Sequence, residues 1–131
     1  MNKLGRLSDV EMKLMQAIWG LATPVTVTQL VAIFEESKGW KNSTIATMLD
    51  RIISKGFLKK EMKGKSNYYS IVATLEDYQK QEGRNLLSSL YGGSIKNFIA
   101  ALADNEGMTG RDVKELQEWF ESSINKDGDI K

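Results

Sequence analysis

The 131-residue sequence predicts a mostly α-helical fold that contains one small β-hairpin. Apolar residues recur at helical spacing in three successive segments before residue 56, and two short β-prone runs follow them. Helical spacing returns after residue 74. Three helices followed by a hairpin is the element order of a winged helix-turn-helix domain. The sequence therefore predicts a winged-helix DNA-binding domain at 1–73, a helical dimerisation domain at 74–125 and a flexible tail at 126–131.

The first two helices each begin at a capping box, in which a hydroxyl and a Glu or Gln three residues later satisfy free backbone amides. Ser8 pairs with Glu11, and Thr26 pairs with Gln29. Pro24 lies between the two helices and favours an extended conformation at the residue before it. The apolar residues at helical spacing are Leu14, Ala17, Ile18, Leu21, Val27, Leu30, Val31 and Phe34.

The third helix has one apolar face and one polar face. The apolar face comprises Ile45, Met48, Leu49, Ile52 and Ile53, and the polar face comprises Ser43, Thr47, Asp50 and Ser54, flanked by Thr44 and Arg51. Asn42 or Ser43 is expected to cap its start, and Gly56 after Lys55 is expected to end it. The polar face has two interpretations. It is either an ordinary solvated surface or the base-reading surface of a recognition helix, which uses its N-terminal residues.

The hairpin is strongly basic. Its runs "FLKKEM" and "NYYSIV" flank a predicted four-residue turn, "KGKS". Only Glu61 opposes the charge of its four lysines, which are Lys59, Lys60, Lys63 and Lys65. Lysines also protect exposed strand edges from aggregation, which is the competing explanation. A basic ribbon directly after a recognition helix is where a wing meets the phosphate backbone, and this position favours DNA binding.

Composition excludes several other functions. The chain has no cysteine and no histidine, which removes thiolate metal ligands, the commonest zinc ligand and the usual general base. The turn "KGKS" fails as a phosphate-binding loop because Lys59 stands where that motif requires glycine. We therefore expect no enzyme activity, no metal and no cofactor. The absence of a signal-like or membrane-spanning run, together with the lack of cysteine, predicts a cytoplasmic protein.

The two halves of the chain carry opposite charge. Residues 1–74 hold eleven basic and six acidic residues, a net charge of +5, whereas residues 75–131 hold seven and eleven, a net charge of −4. The front half therefore suits an anionic partner. The predicted DNA contacts are Lys41, Asn42, Ser43, Thr44, Thr47, Arg51, Lys63 and Lys65. A protein–protein adaptor built on the same fold is the alternative, since fold alone does not determine function.

The helices after residue 74 predict self-association. Capping pairs Thr74–Asp77 and Thr109–Asp112 begin two of them, but fewer than 60 residues bury too little apolar surface to be stable alone. A second copy of the chain is the simplest way to cover that surface. The predicted dimerisation residues are Leu86, Leu90, Ile95, Phe98, Ile99, Leu102, Val113, Leu116 and Phe120.

Three stretches resemble a known family: "LSDVEMKLMQAIW", "TVTQLV" and "GWKNSTIATMLDRIISKGFL". Over about residues 7–124 the chain is similar to the penicillinase and methicillin-resistance repressors. Their helix-three motif matches at Trp40, Thr44, Ile45, Thr47, Met48, Leu49, Arg51, Ile52 and Gly56. The family often has Ser-Pro-Lys where this chain has Lys41-Asn42-Ser43, so we expect a different operator sequence.

The resemblance implies a homodimeric, cytoplasmic transcriptional repressor that binds an inverted-repeat operator on double-stranded DNA and controls genes of the β-lactam-resistance type. It also implies relief by proteolysis, set in motion by a membrane sensor-protease that detects β-lactams. The bond that matches the family's cleavage site is Asn97–Phe98, within "SIKNFIAAL". Since Phe98 belongs to the predicted dimerisation residues, a cut before it would detach the following segments from the dimer.

Overall fold

The computed structural model describes residues 3–104 and 107–127. The described residues form α1 (Asp9–Trp19), α2 (Val27–Phe34), α3 (Asn42–Ser54), β1 (Leu58–Lys63), β2 (Ser66–Ile71), α4 (Leu75–Tyr91), α5 (Ile95–Ala103) and α6 (Gly110–Asp127). Three helices, a hairpin and three further helices confirm the predicted fold class. The chain divides into two compact units between Glu82 and Gly83, within α4.

Both predicted capping boxes of the first unit are present. The Ser8 hydroxyl accepts from the Glu11 amide and the Glu11 carboxylate accepts from the Ser8 amide, and Thr26 and Gln29 do the same for α2. The helices enclose one core, in which the most deeply buried side chains are Leu14, Met15, Ile18, Val25, Leu30, Ile45, Leu49, Ile52 and Phe57. Leu21 does not join it, because α1 ends at Trp19 and Leu21 is 36% exposed.

The two ends of α3 differ in how well the sequence predicts them. The expected caps at the start were wrong: Lys41 is the N-cap residue, its side chain makes no capping bond, and Asn42 is already helical. The expected end is confirmed. Gly56 has φ +98° and donates its amide to Ile53, while the Phe57 amide bonds Ile52, which is the Schellman arrangement that a glycine permits.

The hairpin is tighter than predicted. β1 and β2 pair antiparallel from Leu58 opposite Ile71 to Lys63 opposite Ser66, so the turn has two residues, Gly64 and Lys65, and not four. Gly64 has φ +63°, which suits a two-residue turn whose twist matches that of the strands. A single bridge between Val25 and Tyr69 adds the loop before α2 to the edge of this ribbon.

The first turns of α4 belong to the first unit. Gln81 accepts from the Leu4 amide at 2.8 Å and donates to the Leu4 carbonyl at 2.7 Å. The Tyr78 hydroxyl accepts from the Leu7 amide at 2.9 Å, and the Tyr78 ring packs edge-on against Phe57. The first unit therefore extends to Glu82, whereas the boundary predicted from the sequence lies between residues 73 and 74.

The second unit consists of the end of α4, α5 and α6. Gly92 and Gly93 both have positive φ and end α4, and the Ser94 hydroxyl caps α5 by accepting from the Asn97 amide at 3.1 Å. The predicted pair of Thr109 and Asp112 begins α6. This helix continues to Asp127, two residues beyond the predicted end of the dimerisation domain at 125. Residues 105–106 of the predicted loop and 128–131 of the predicted tail lie outside the described residues.

Candidate nucleic-acid interface

Helix α3 separates its side chains cleanly into two faces. Ile45, Leu49 and Ile52 are completely buried against α1, α2 and the hairpin, and Met48 is 5% exposed. The six residues predicted to contact DNA from this helix and its N-cap are all exposed: Lys41, Asn42, Ser43, Thr44, Thr47 and Arg51. The first two turns of α3 therefore present short polar side chains to solvent while the opposite face holds the helix in place.

Four of these residues share one open depression on the surface of α3. Ser43, Thr44, Thr47 and Arg51 line it together with Met48, whose mostly buried side chain contributes to the lining. The depression brings hydroxyl groups, methyl groups, a thioether and one guanidinium group into a single surface. Groups of these kinds make hydrogen bonds and apolar contacts with base edges.

One hydrogen bond defines what Thr47 offers to a partner. Its hydroxyl donates to the Ser43 carbonyl, one turn earlier, over 2.9 Å. A Thr hydroxyl has one proton, and this bond uses it. Thr47 therefore presents its methyl group and the remaining acceptor capacity of its oxygen.

The tip of the hairpin carries the two lysines that were predicted as wing contacts. Lys65 occupies the two-residue turn beside Gly64, and Lys63 ends β1 next to it; both side chains are exposed. Their neighbour along the strand, Lys60, has a different role. Its ammonium group lies 3.4 Å from the Asp50 carboxylate on α3 and so links the hairpin to that helix.

Tyr69 fixes the base of the hairpin. It lies opposite Lys60 in register, is 2% exposed, and exchanges two backbone hydrogen bonds with Val25 of 2.8 and 2.9 Å. Burial raises the pKa of the Tyr69 hydroxyl, the nearby Lys60 opposes this rise, and Asp50 adds to it. Its burial and its two backbone bonds to Val25 therefore hold the base of the hairpin in place.

The predicted cleavage bond lies in the first turn of α5. Asn97 is exposed, and Phe98 is half-buried with its ring centre 5.3 Å from that of Tyr91. The amides on both residues bond to Ser94, Asn97 to its hydroxyl and Phe98 to its carbonyl. The bond is therefore in a capped helical turn that directly follows Gly92 and Gly93.

The predicted dimerisation residues are all incompletely buried in the single chain. Among residues 83–104 and 107–123, no side chain of the second unit is buried. Exposure reaches 70% for Leu90 and 57% for Ile95. Leu86, Leu102 and Val113 are also exposed, whereas Phe98, Ile99, Leu116 and Phe120 are half-buried.

Three contributors to these surfaces were missed in the sequence. Met48 was assigned wholly to the core, although it also lines the depression on α3. Trp119 is 47% exposed and packs on Phe120 at 5.1 Å, and its spacing of three from Leu116 is a signal that could have identified it. The ion pair of Lys60 with Asp50 had no signal in the local pattern.

The structure adds two statements about the rest of the chain. Within residues 3–104 and 107–127, no three Asp or Glu side chains come together in a way that could hold a metal ion. In the same ranges, no helix combines the length and apolar character needed to cross a membrane.

Comparisons with known proteins agree on one family. A family model described as "Penicillinase repressor" matches residues 7–122. The chain is 25% identical over 126 residues to the penicillinase repressor of Bacillus licheniformis, which covers 96% of this chain and 98% of that protein. It is 24% identical over 117 residues to the methicillin resistance regulatory protein MecI of Staphylococcus aureus, covering 88% and 94% of the two chains.

A solved structure extends the similarity to the fold. The solution structure of the DNA binding domain of the repressor BlaI is 29% identical to this chain with a TM-score of 0.51, and it covers 60% of this chain and 94% of that domain. The family model spans most of the sequence, and the solved domain corresponds to the winged-helix part. The chain belongs to the penicillinase repressor family of DNA-binding transcriptional repressors.

Proposed function

We propose that the chain is a homodimeric repressor that binds an inverted-repeat operator. We further propose that its affinity for the operator falls when a protease cuts its second unit. The observation that carries the proposal is the division of α3 into two faces. Ile45, Leu49 and Ile52 are fully buried, while Ser43, Thr44 and Thr47 stand exposed on the first two turns. A recognition helix reads base edges in the major groove with those turns.

The hairpin supports binding to the backbone beside that groove. Lys63 and Lys65 lie at its exposed tip, and the ion pair of Lys60 with Asp50 connects the ribbon to α3. The α3 N-terminus has no side-chain cap, and free helical amides favour an anion. These contacts supply affinity and orientation rather than base preference. The adaptor alternative would have to place an acidic protein on the same surface.

Exposed apolar residues of the second unit support association of two chains. Leu90 and Ile95 are more than half exposed in the single chain, and Leu86, Leu102 and Val113 are each at least two-fifths exposed. Large exposed apolar surface marks an association site in soluble proteins. A second copy covers this surface with its own equivalent, and a two-fold pair matches a palindromic operator.

The position of Asn97–Phe98 supports relief by cleavage. The bond lies in the first turn of α5, after two glycines with positive φ, and Phe98 packs on Tyr91. A cut there separates the rest of α5 and all of α6 from α4 and weakens the dimer. Because the two DNA contacts are coupled through the dimer, a modest loss of association becomes a large loss of occupancy. Membership of the penicillinase repressor family supports the proposal that the protein acts in the cytoplasm on genes of the β-lactam-resistance type.

The test compares two DNA duplexes that differ in one respect. A duplex carrying an inverted repeat is selected from a randomised pool with the purified chain. A second duplex carries only one half-site of that repeat. Binding of the chain to each duplex is measured by fluorescence anisotropy. We expect the inverted repeat to bind at least 100-fold more tightly, since linking two sites multiplies affinity on that order. Equal affinities would refute the dimeric repressor, and failure to select any duplex would favour the adaptor.

A second experiment tests relief. The recognition sequence of a site-specific protease is inserted at Asn97–Phe98, and the protein is cut while it is bound to the inverted repeat. We expect cutting to release the DNA and to leave half-site affinity unchanged, because the first unit, which ends at Glu82, is untouched. Retention of the inverted repeat after complete cutting would refute relief at this bond.

A further inference from the structure

We propose that the depression on α3 receives the C5-methyl group of a thymine in the major groove, and that Thr47 selects it. The inference rests on the proposed DNA-binding function and adds the chemical feature that the helix recognises. Ser43, Thr44, Thr47, Met48 and Arg51 line the depression.

The hydrogen bond from Thr47 to the preceding turn removes one form of recognition. Its hydroxyl proton is held by the Ser43 carbonyl at 2.9 Å. Donation to guanine O6 or N7, to adenine N7 or to thymine O4 would require that bond to break. Thr47 therefore recognises a base either through its methyl group or by accepting from an amino group.

The lining of the depression favours the methyl group. Thr44 and Thr47, which each carry a methyl group, line it together with Met48, which carries a thioether and is 5% exposed. Thymine is the base that presents an apolar group to the major groove, because its C5-methyl projects from the edge. An adenine or cytosine amino group placed against the methyl and thioether groups would lose hydration without full compensation. Ser43 and Arg51 then provide polar groups around the methyl.

The test removes this methyl group from the DNA alone. Each thymine of the selected inverted repeat is replaced in turn by deoxyuridine, which keeps every hydrogen-bonding group. We expect deoxyuridine at one symmetric pair of positions to weaken binding of the duplex by about fourfold for each half-site. That ratio corresponds to burial of one methyl group. No sensitive position in the unaltered protein would overturn the proposal.

Two matched variants assign the effect to Thr47. Thr47→Val keeps the methyl and loses the oxygen, and it should preserve the preference for thymine over uracil. Thr47→Ser keeps the hydroxyl and loses the methyl, and it should reduce that preference towards one. If Thr47→Ser discriminates as well as the unaltered protein, or Thr47→Val loses discrimination, the side chain reads an amino group or no base.

The outcomes separate this inference from the function on which it depends. A chain that binds its inverted repeat tightly but tolerates uracil everywhere retains the proposed function and refutes the methyl contact. A chain that selects no duplex refutes the proposed function first. We expect both variants to fold, since Thr47 is exposed and neither change opens a cavity. Circular dichroism and thermal unfolding test this expectation.

Discussion

The buried carboxylate of Glu11 on α1 accepts a hydrogen bond from the ammonium group of Lys55, which caps the C-terminus of α3. The same carboxylate oxygen accepts from the Ser8 amide at 2.8 Å. One atom therefore joins the capping box of α1 to the end of α3. Because Glu11 is 3% exposed, its charge depends on these two partners for stabilisation.

This pair predicts a pH-dependent part of the folding free energy. Burial by itself raises the pKa of the Glu11 carboxyl, but the hydrogen bonds from Lys55 and Ser8 and the charge of Lys55 together outweigh burial, and the pKa lies below its ordinary value of 4.5. A lowered pKa in the folded state gives stability that is present above the unfolded pKa and lost as pH falls through the folded one. We expect Glu11→Gln to lower the free energy of unfolding at neutral pH by about 1–3 kcal/mol.

Urea unfolding of both proteins from neutral pH to below 4.5 measures this contribution. The difference between the unaltered protein and Glu11→Gln should shrink as the pH falls, since protonation removes the charge that the substitution removes. Asp77→Asn is the control for a carboxyl on the surface. Hydrogen bonds from Thr74 lower the pKa of Asp77, but the group is solvent-accessible and its contribution should be smaller. A constant difference across the range would contradict the prediction for Glu11.

Gln81 predicts a second long-range stabilisation. Its amide group makes two hydrogen bonds with the backbone of Leu4, of 2.8 and 2.7 Å, and so ties the start of the chain to α4. Gln81→Ala leaves both backbone groups without that partner in a partly buried site. We expect a loss of about 1–2 kcal/mol in the free energy of unfolding.

The matched control for Gln81 is Gln79→Ala on the same helix, because Gln79 is exposed. A surface substitution of this kind changes stability by less than about 0.5 kcal/mol. Chemical denaturation measures both variants under one set of conditions. Equal losses from the two substitutions would show that the Leu4 contact contributes nothing beyond helix propensity.

Local signals in the sequence predicted most of the fold. Ser8 and Thr26 satisfy nearby amides within one turn, so their capping boxes can be read without tertiary information. The period of apolar residues in α3 identified its buried face, and Gly56 identified its end. The resemblance of the helix-three motif then indicated the repressor family, which the family model confirms.

Contacts between distant residues could not be predicted in this way. Glu11 and Lys55 are 44 residues apart, and Leu4 and Gln81 are 77 apart, so no local pattern links them. The start of α3 was misassigned for a related reason, since Asn42 has the chemistry of a cap but the chain enters the helix one residue earlier. The hydrogen bond of Thr47 depends on its rotamer, which the sequence does not specify.

The conformation of Gly56 predicts the cost in folding free energy of adding one methyl group at the end of α3. Its φ is +98°, and a Cβ built there would lie 3.2 Å from a Leu4 methyl carbon. Gly56→Ala should therefore lower the free energy of unfolding by about 1–2 kcal/mol through backbone strain and crowding. Gly83→Ala in α4 is the control, since a Cβ there meets nothing within 4 Å. It should stabilise the helix by about 0.8 kcal/mol, and destabilisation by both variants would contradict the assignment.

Lys65 predicts the salt dependence of DNA binding. If it contacts a phosphate in each subunit, Lys65→Ala should weaken binding to all duplexes alike and reduce the log–log salt slope by about 2, one for each copy. For about six contacts in the dimer, the unaltered slope should be near −5. Anisotropy titrations at several salt concentrations measure the slope.

The control is Lys80→Ala, because the ammonium group of Lys80 pairs with Glu76 on α4. An unchanged slope for Lys65→Ala would remove the wing tip from the phosphate contacts.

The exposure of Leu90 predicts that a substitution there weakens dimerisation and leaves the first unit folded. Its side chain is 70% exposed in the single chain, so Leu90→Glu should leave the first unit folded. If the residue is buried between two copies, a carboxylate there should raise the dimer dissociation constant by about 100-fold or more, because it loses hydration without a partner. Sedimentation velocity measures association, and binding to the inverted repeat and the half-site measures its consequence. Affinity for the inverted repeat should fall towards that for the half-site.

The control is Val72→Glu in the first unit, which is 58% exposed and should leave both quantities unchanged. A Leu90→Glu protein that remains a dimer would place the interface elsewhere on the second unit, since the cost of an isolated buried carboxylate is too large to escape detection.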